Sequence, residues 1–200
     1  MMTRRLIQLF FGLTLYGVSL ALMVRADLGL DPWDVFHQGV SRHLNWSLGV
    51  IINVVGGLLL LLWIPLRQRP GFGTVSNVFV IGVAVDLTLA VLLSPTALLT
   101  RSLLLALGIC LNAVATAMYI GARLGPGPRD GLMTGLAVRT GRSIGLVRTS
   151  IELSVLAAGW SLGGTVGIGT LIYALLIGPL VQPLLVWFTV PVRTRARATG

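Results

Sequence analysis

The sequence predicts an all-α polytopic membrane protein. Six transmembrane helices form two inverted three-helix repeats, each with an extra short helix, re-entrant or interfacial. Three observations predict this. The chain is 55% hydrophobic and only 10% charged, whereas a soluble domain carries about 25% charged residues. Its mean hydropathy is +0.91. The sequence also falls on itself when slid by 96 residues.

The spans come first. A helix needs roughly 20 apolar residues to cross a bilayer. Six segments meet this, at about 6–24, 48–66, 75–94, 102–122, 144–162 and 170–190. The first follows the basic start MMTRR, yet its apolar run is longer than the core of a signal peptide, and MVRAD is a poor cleavage site. All 200 residues therefore form a single membrane domain.

The charges set the orientation. The formal net charge is +9, and every basic residue other than the two histidines is Arg. With six alternating crossings, only Arg25, Arg42 and Arg101 fall on the outside. This positive-inside bias places both termini in the cytoplasm. The basic tail over 191–200 then lies on anionic lipid, which accounts for its charge without nucleic acid.

The repeat covers 5–95 and 101–190. LGLDPWD at 28–34 lands on LGPGPRD at 124–130, and GFGT at 71–74 lands on GIGT at 167–170. Arg5 falls on Arg101, Ser47 on Ser143, Gly49 on Gly145 and Gly82 on Gly178. Glycine and proline matches carry weight because backbone geometry demands those residues. Three spans per copy is an odd number, so the second copy enters the membrane from the opposite side. Many secondary transporters are built this way, with the site near the midplane between the halves.

Between the first two spans of each copy lies a short helix, expected over 32–44 and 128–140. Asp31 suits the N-cap, Pro32 the first helical position and Asp34 the first turn. In the second copy Gly127 replaces the capping Asp, and Arg129 replaces Trp33. The first short helix is amphipathic, with Trp33, Phe36, Val40 and Leu44 opposite Asp34, His37, Gln38 and Ser41. Two placements are open. The helices can lie flat at the surfaces, with His37 on the wet face. They can instead dip in as half-helices, which makes Asp34 and Asp130 a pair at a constriction.

The candidate pathway residues are Gly29, Pro32 and Asp34, with Gly125, Pro128 and Asp130 as their mates. Asp86 lies mid-span; its mate Gln182 sits between Pro179 and Pro183, which are expected to kink or break the sixth helix. Arg148 and Glu152 share a helix face at i,i+4. In the G-x-G-T turns, Gly71, Gly73 and Thr74, with Gly167, Gly169 and Thr170, fit a tight turn into a capped helix, the threonines as N-caps. One Cys and two His leave no metal site, and no cofactor motif is present.

The stretches LGLDPWDVFHQGVS and LGPGPRDGLMTGL resemble the bacterial YczE/YyaS/YitT family of small integral membrane proteins, over about residues 5–190. The G-x-x-P-W-D turn is the most specific piece of the resemblance. The resemblance implies a bacterial inner membrane and five or six spans, and it supplies no substrate or site residues.

The expected function is transport or channelling of a small solute or ion between the halves. The alternatives are a substrate-binding membrane subunit of a multi-component transporter, or a membrane accessory protein. An enzyme is not expected, since there is no nucleophile elbow and no loop long enough to hold a site. The expected partners are the bilayer, a small solute, and a second copy or partner subunit.

Overall fold

The computed structural model describes residues 2–190. The basic tail expected over 191–200 lies outside the described residues. The described chain is all helical, with eight helices: α1 Met2–Ala26, α2 Pro32–Leu44, α3 Leu48–Trp63, α4 Phe72–Val91, α5 Leu98–Gly121, α6 Pro128–Thr140, α7 Ile144–Ser161 and α8 Ile168–Phe188. Each helix of the second set starts 96 residues after its counterpart in the first. The two short helices occupy the ranges that the sequence predicts.

The centre of the bundle is the pair α1 and α5, which run antiparallel. Arg5, near the start of α1, donates to the Ala122 carbonyl past the end of α5 at 2.8 Å. Its mate Arg101, near the start of α5, donates to the Ala26 carbonyl at the end of α1 at 2.8 Å. Each arginine thus satisfies carbonyls that a helix terminus leaves without a partner. Gly12 and Gly108 let the two backbones approach, since a Cβ on Gly12 would press on Tyr119 N at 3.0 Å.

The outer helices follow this pair. α4 packs on α1, and α8 on α5, each running parallel to its neighbour. The end of α8 returns to the start of α1, where Gln8 donates to the Phe188 carbonyl at 2.8 Å. The start of the chain and the end of α8 therefore lie at one end of the bundle. Large apolar side chains such as Phe11, Leu103, Val186 and Trp187 point outward. That surface suits lipid and not water.

Of the six expected spans, four or five stand out by length and composition. Four helices, α1, α4, α5 and α8, are long and apolar enough to cross a membrane by themselves, and α2 with α3 makes a fifth if that pair, bent by 114°, is one span. α3 stops at Trp63, three residues short of the expected end, and has only 16 residues. α7 has 18 residues, but Arg148, Glu152 and its hydroxyl side chains make it less apolar. The expected break in the last helix is also absent: α8 is assigned as one continuous helix through Pro179 and Pro183. These prolines are one turn apart, so the missing N–H bonds fall on one side and the other side stays intact.

Two local expectations change as well. Thr74 and Thr170 are not N-caps but third helical residues. Their hydroxyls reach back to the N–H groups of the true N-caps, Gly71 at 3.1 Å and Gly167 at 3.3 Å. The geometry is a capping box, which satisfies a terminal donor that glycine cannot serve. In α2 the polar side is not the wet side. Asp34, His37 and Gln38 are buried, and Leu44 is exposed. The helix turns its polar face into the protein: Asp34 and His37 meet Arg129 at the start of α6, and Gln38 accepts the Thr165 N–H at 2.7 Å from the segment before α8.

Candidate functional site

α2 and α6 begin where the two halves meet. Each is entered through a turn on a positive-φ glycine, Gly29 at φ 115° and Gly125 at φ 132°. Each turn is held by the G-x-G-T turn of the other half. The Gly169 N–H donates to the Leu28 carbonyl at 2.7 Å, and the Gly73 N–H donates to the Leu124 carbonyl at 2.8 Å. The Thr74 hydroxyl donates to the Pro126 carbonyl at 2.7 Å. A Cβ on Gly29 would press on Thr170 Oγ1 at 2.7 Å, so the approach requires glycine as well as the positive φ. These eight candidate residues, Gly29, Gly125, Gly71, Gly73, Thr74, Gly167, Gly169 and Thr170, are the clamp that positions the site.

The clamp brings the first turns of α2 and α6 together. Arg129 of α6 reaches across to α2, with Nη2 2.9 Å from Asp34 Oδ1 and Nη1 3.5 Å from Asp31 Oδ2. Its guanidinium lies 5.3 Å from the centre of the Trp33 ring. Asp34 Oδ1 also meets His37 Nδ1 at 3.0 Å. Asp31 caps α2 by accepting the Asp34 N–H at 2.9 Å, as the sequence predicts. Asp34 is fully buried. Its second oxygen, Oδ2, and the Trp33 indole N–H are buried without a hydrogen-bond partner among the described residues. On the α6 side, the Tyr119 hydroxyl donates to Asp130 Oδ2 at 3.2 Å.

A cavity of about 390 Å³ opens at this junction, and all eight helices contribute to its wall. Pro32, Pro128, Asp130, Arg148 and Glu152, all predicted from the sequence, line it. Asp34 sits beside it in the grip of Arg129. Arg148 Nε pairs with Glu152 Oε1 at 2.9 Å on the more open side, where the Arg148 side chain is 59% exposed. The size is that of a small-molecule site. Among the described residues, no group of three metal-ligating side chains comes together.

Asp86 lies outside the cavity lining. It accepts the Ser47 hydroxyl at 2.5 Å and the Gly49 N–H at 2.8 Å, and so closes the start of α3. The antiparallel packing of α3 and α4 puts this carboxylate where helix N–H groups need an acceptor. Asp86→Ala is therefore expected to cost about 1 kcal/mol of stability, as loss of a cap does. Thermal unfolding in detergent measures this.

The halves also differ in how their last two helices pack. α3 and α4 pack closely through Gly49 and Gly82: a Cβ on either would run into the other's carbonyl. Their mates Gly145 and Gly178 would meet nothing within 4 Å. α7 and α8 scarcely touch. The cavity wall runs through that gap, since Gly178 and Gln182 of α8 and Arg148 and Glu152 of α7 all line it. Gln182, the mate of Asp86, faces the cavity and does not close the start of α7.

Sequence reasoning missed the tyrosines of the wall, Tyr16, Tyr119 and Tyr173. Single aromatic residues in apolar helices give no signal by themselves. Arg129 had one. The repeat register sets it opposite Trp33, so two residues that differ in chemistry occupy matched places one step into matched helices.

The chain matches the family described as "Family of unknown function (DUF6198)" over residues 3–185. An "Uncharacterized protein" of Haemophilus influenzae is 41% identical over 174 residues, which cover 87% of this chain and 80% of the relative. The "Uncharacterized membrane protein YczE" of Bacillus subtilis is 33% identical over 176 residues, covering 86% of this chain and 81% of the relative. The "Uncharacterized protein YyaS" of the same organism is 27% identical over 177 residues, covering 86% and 87%. No solved structure matches. With a match over nearly its whole length and a membrane protein among its relatives, the chain belongs to the DUF6198 family and is a membrane protein with several spans.

Proposed function

We propose that the protein carries a small solute across the bacterial inner membrane by alternating access, through the cavity between its two halves. In this reading the chain crosses six times, as two inverted repeats with both termini in the cytoplasm. α2 and α6 are half-helices that point their N-termini at the midplane. The protein acts without a cofactor and is not an enzyme. The observation that carries the reading is the difference between matched helix pairs. α3 and α4 are shut at Gly49 and Gly82, while α7 and α8 stand apart at Gly145 and Gly178, beside the cavity. Exchanging the two arrangements would close the cavity to one side and open it to the other. That is how inverted repeats give alternating access.

The exchange predicts new contacts. Gln182 takes up Ser143 and Gly145 as Asp86 holds Ser47 and Gly49. In a Cys110→Ala background, a short bifunctional thiol reagent should bridge Ser47→Cys to Asp86→Cys. In a separate protein it should bridge Ser143→Cys to Gln182→Cys. Either bridge is expected to abolish solute flux in vesicles, and reduction to restore it. If the second pair never bridges during turnover, or its bridge leaves flux intact, the exchange does not occur. The same gap favours one rival, a separate subunit that seats between α7 and α8. Flux that appears only with a copurifying partner would support that rival.

A further inference from the structure

The cavity wall carries more negative than positive charge. Asp31, Asp130 and Glu152 line it with Arg129 and Arg148, and Asp34 stands directly behind Arg129. Four carboxylates therefore face two guanidiniums, a formal excess of two negative charges. Two helix N-termini also point here, and each contributes roughly half a positive charge. They offset about half of the excess and leave the site negative.

Both arginines are already charge-paired within the site. Arg129 is held by Asp34 at 2.9 Å. Arg148 is held by Glu152 at 2.9 Å. An incoming carboxylate or phosphate would meet guanidiniums already neutralised by these carboxylates, in a wall of net negative charge. Asp130 has a tyrosine hydroxyl as partner but no cation within ion-pair distance among the described residues. Asp34 Oδ2 is buried with no donor among the described residues.

The rest of the wall selects among cations. With no metal-ligand cluster among the described residues, a bare divalent ion has no cage. Four aromatic rings, Tyr16, Trp33, Tyr119 and Tyr173, surround the space instead. Aromatic faces attract organic ammonium groups. The volume of about 390 Å³ leaves room for an apolar body beside the charged head.

Resting on the reading of this cavity as the solute site, we propose that the solute is a small organic cation, an ammonium or guanidinium on an apolar body, whose charge sits at Asp130. The test uses two probes of one size and opposite charge, benzylammonium and benzoate, titrated calorimetrically into the purified full-length protein. Benzylammonium is expected to bind saturably and benzoate not to bind. Asp130→Asn should weaken benzylammonium at least about tenfold, the scale of one lost charge contact in a desolvated site. Asp130→Glu, which keeps the charge and controls for folding, should stay within about threefold of wild type. Benzoate binding in place of benzylammonium, no saturable benzylammonium binding, or wild-type affinity in Asp130→Asn would each overturn the proposal. The two readings fail separately. Benzylammonium binding without flux in vesicles leaves the ligand class standing and removes transport. Flux of an anion or neutral solute without benzylammonium binding does the reverse.

Discussion

Arg129→Met is expected to lower stability by about 3–5 kcal/mol, the scale for removing one partner of a buried ion pair. Arg129 is the only cation within 4 Å of Asp31 and Asp34 apart from His37 among the described residues, and both aspartates are buried. Methionine fills much of the volume but supplies no donor. Two carboxylates would then share a dry site with one imidazole. Arg129→Lys should recover part of the loss, because an ammonium restores the charge but cannot reach two carboxylates as a fork does. Asp34→Asn combined with Arg129→Met should cost clearly less than the sum of the single changes, since the charge that the first change strands is gone. The measurement is thermal unfolding of the purified protein in detergent. A cost under about 1 kcal/mol for Arg129→Met would mean that the pair is solvated, as surface pairs are.

The second large effect separates stability from function. Gly82→Ala is expected to destabilise by about 1–3 kcal/mol, the range for overpacking. Its Cβ would run into Asn53 Oδ1 and the Gly49 carbonyl, forcing α4 off α3. Gly178→Ala, the matched change in the other half, adds its Cβ to open space. It should leave stability equal or higher by up to about 1 kcal/mol, since alanine suits a helix interior better than glycine. Yet if α7 must close on α8 during each cycle, the new methyl blocks that approach. Solute flux in vesicles should then fall at least about tenfold, a shift of about 1.4 kcal/mol in the closing equilibrium. Unfolding and flux measured on both variants decide this. Full flux in Gly178→Ala would mean that the gap never closes at that point.

Much of this was legible before any coordinates. The lack of charge places the chain in a membrane, because a surface with so few charged groups cannot be wetted. The repeat was legible because glycine and proline matches report backbone geometry, and the starts of all eight helices follow its offset of 96 residues. The short helices were legible in Asp31 and Pro32, whose capping and fixed φ act within one turn. Local chemistry of that kind is written in neighbouring residues.

Other features were decided only by packing. Asp86 reads from sequence as an ionisable group at depth, yet its fate depended on whether the start of α3 stood within hydrogen-bond reach. His37 and Gln38 read as a wet face, yet they are buried because α6 brings Arg129 to His37 and the segment before α8 brings the Thr165 N–H to Gln38. Thr74 and Thr170 read as caps, one turn away from their actual role. Whether α3 and α7 count as separate spans turned on where each helix ends and on what its polar residues meet. The sharpest case is the matched glycines. Gly49 and Gly145, like Gly82 and Gly178, are the same residue at the same place in the repeat, so sequence assigns each pair one role. Only the tertiary structure separates them, because two copies of one segment can rest in different packing minima when their neighbours differ.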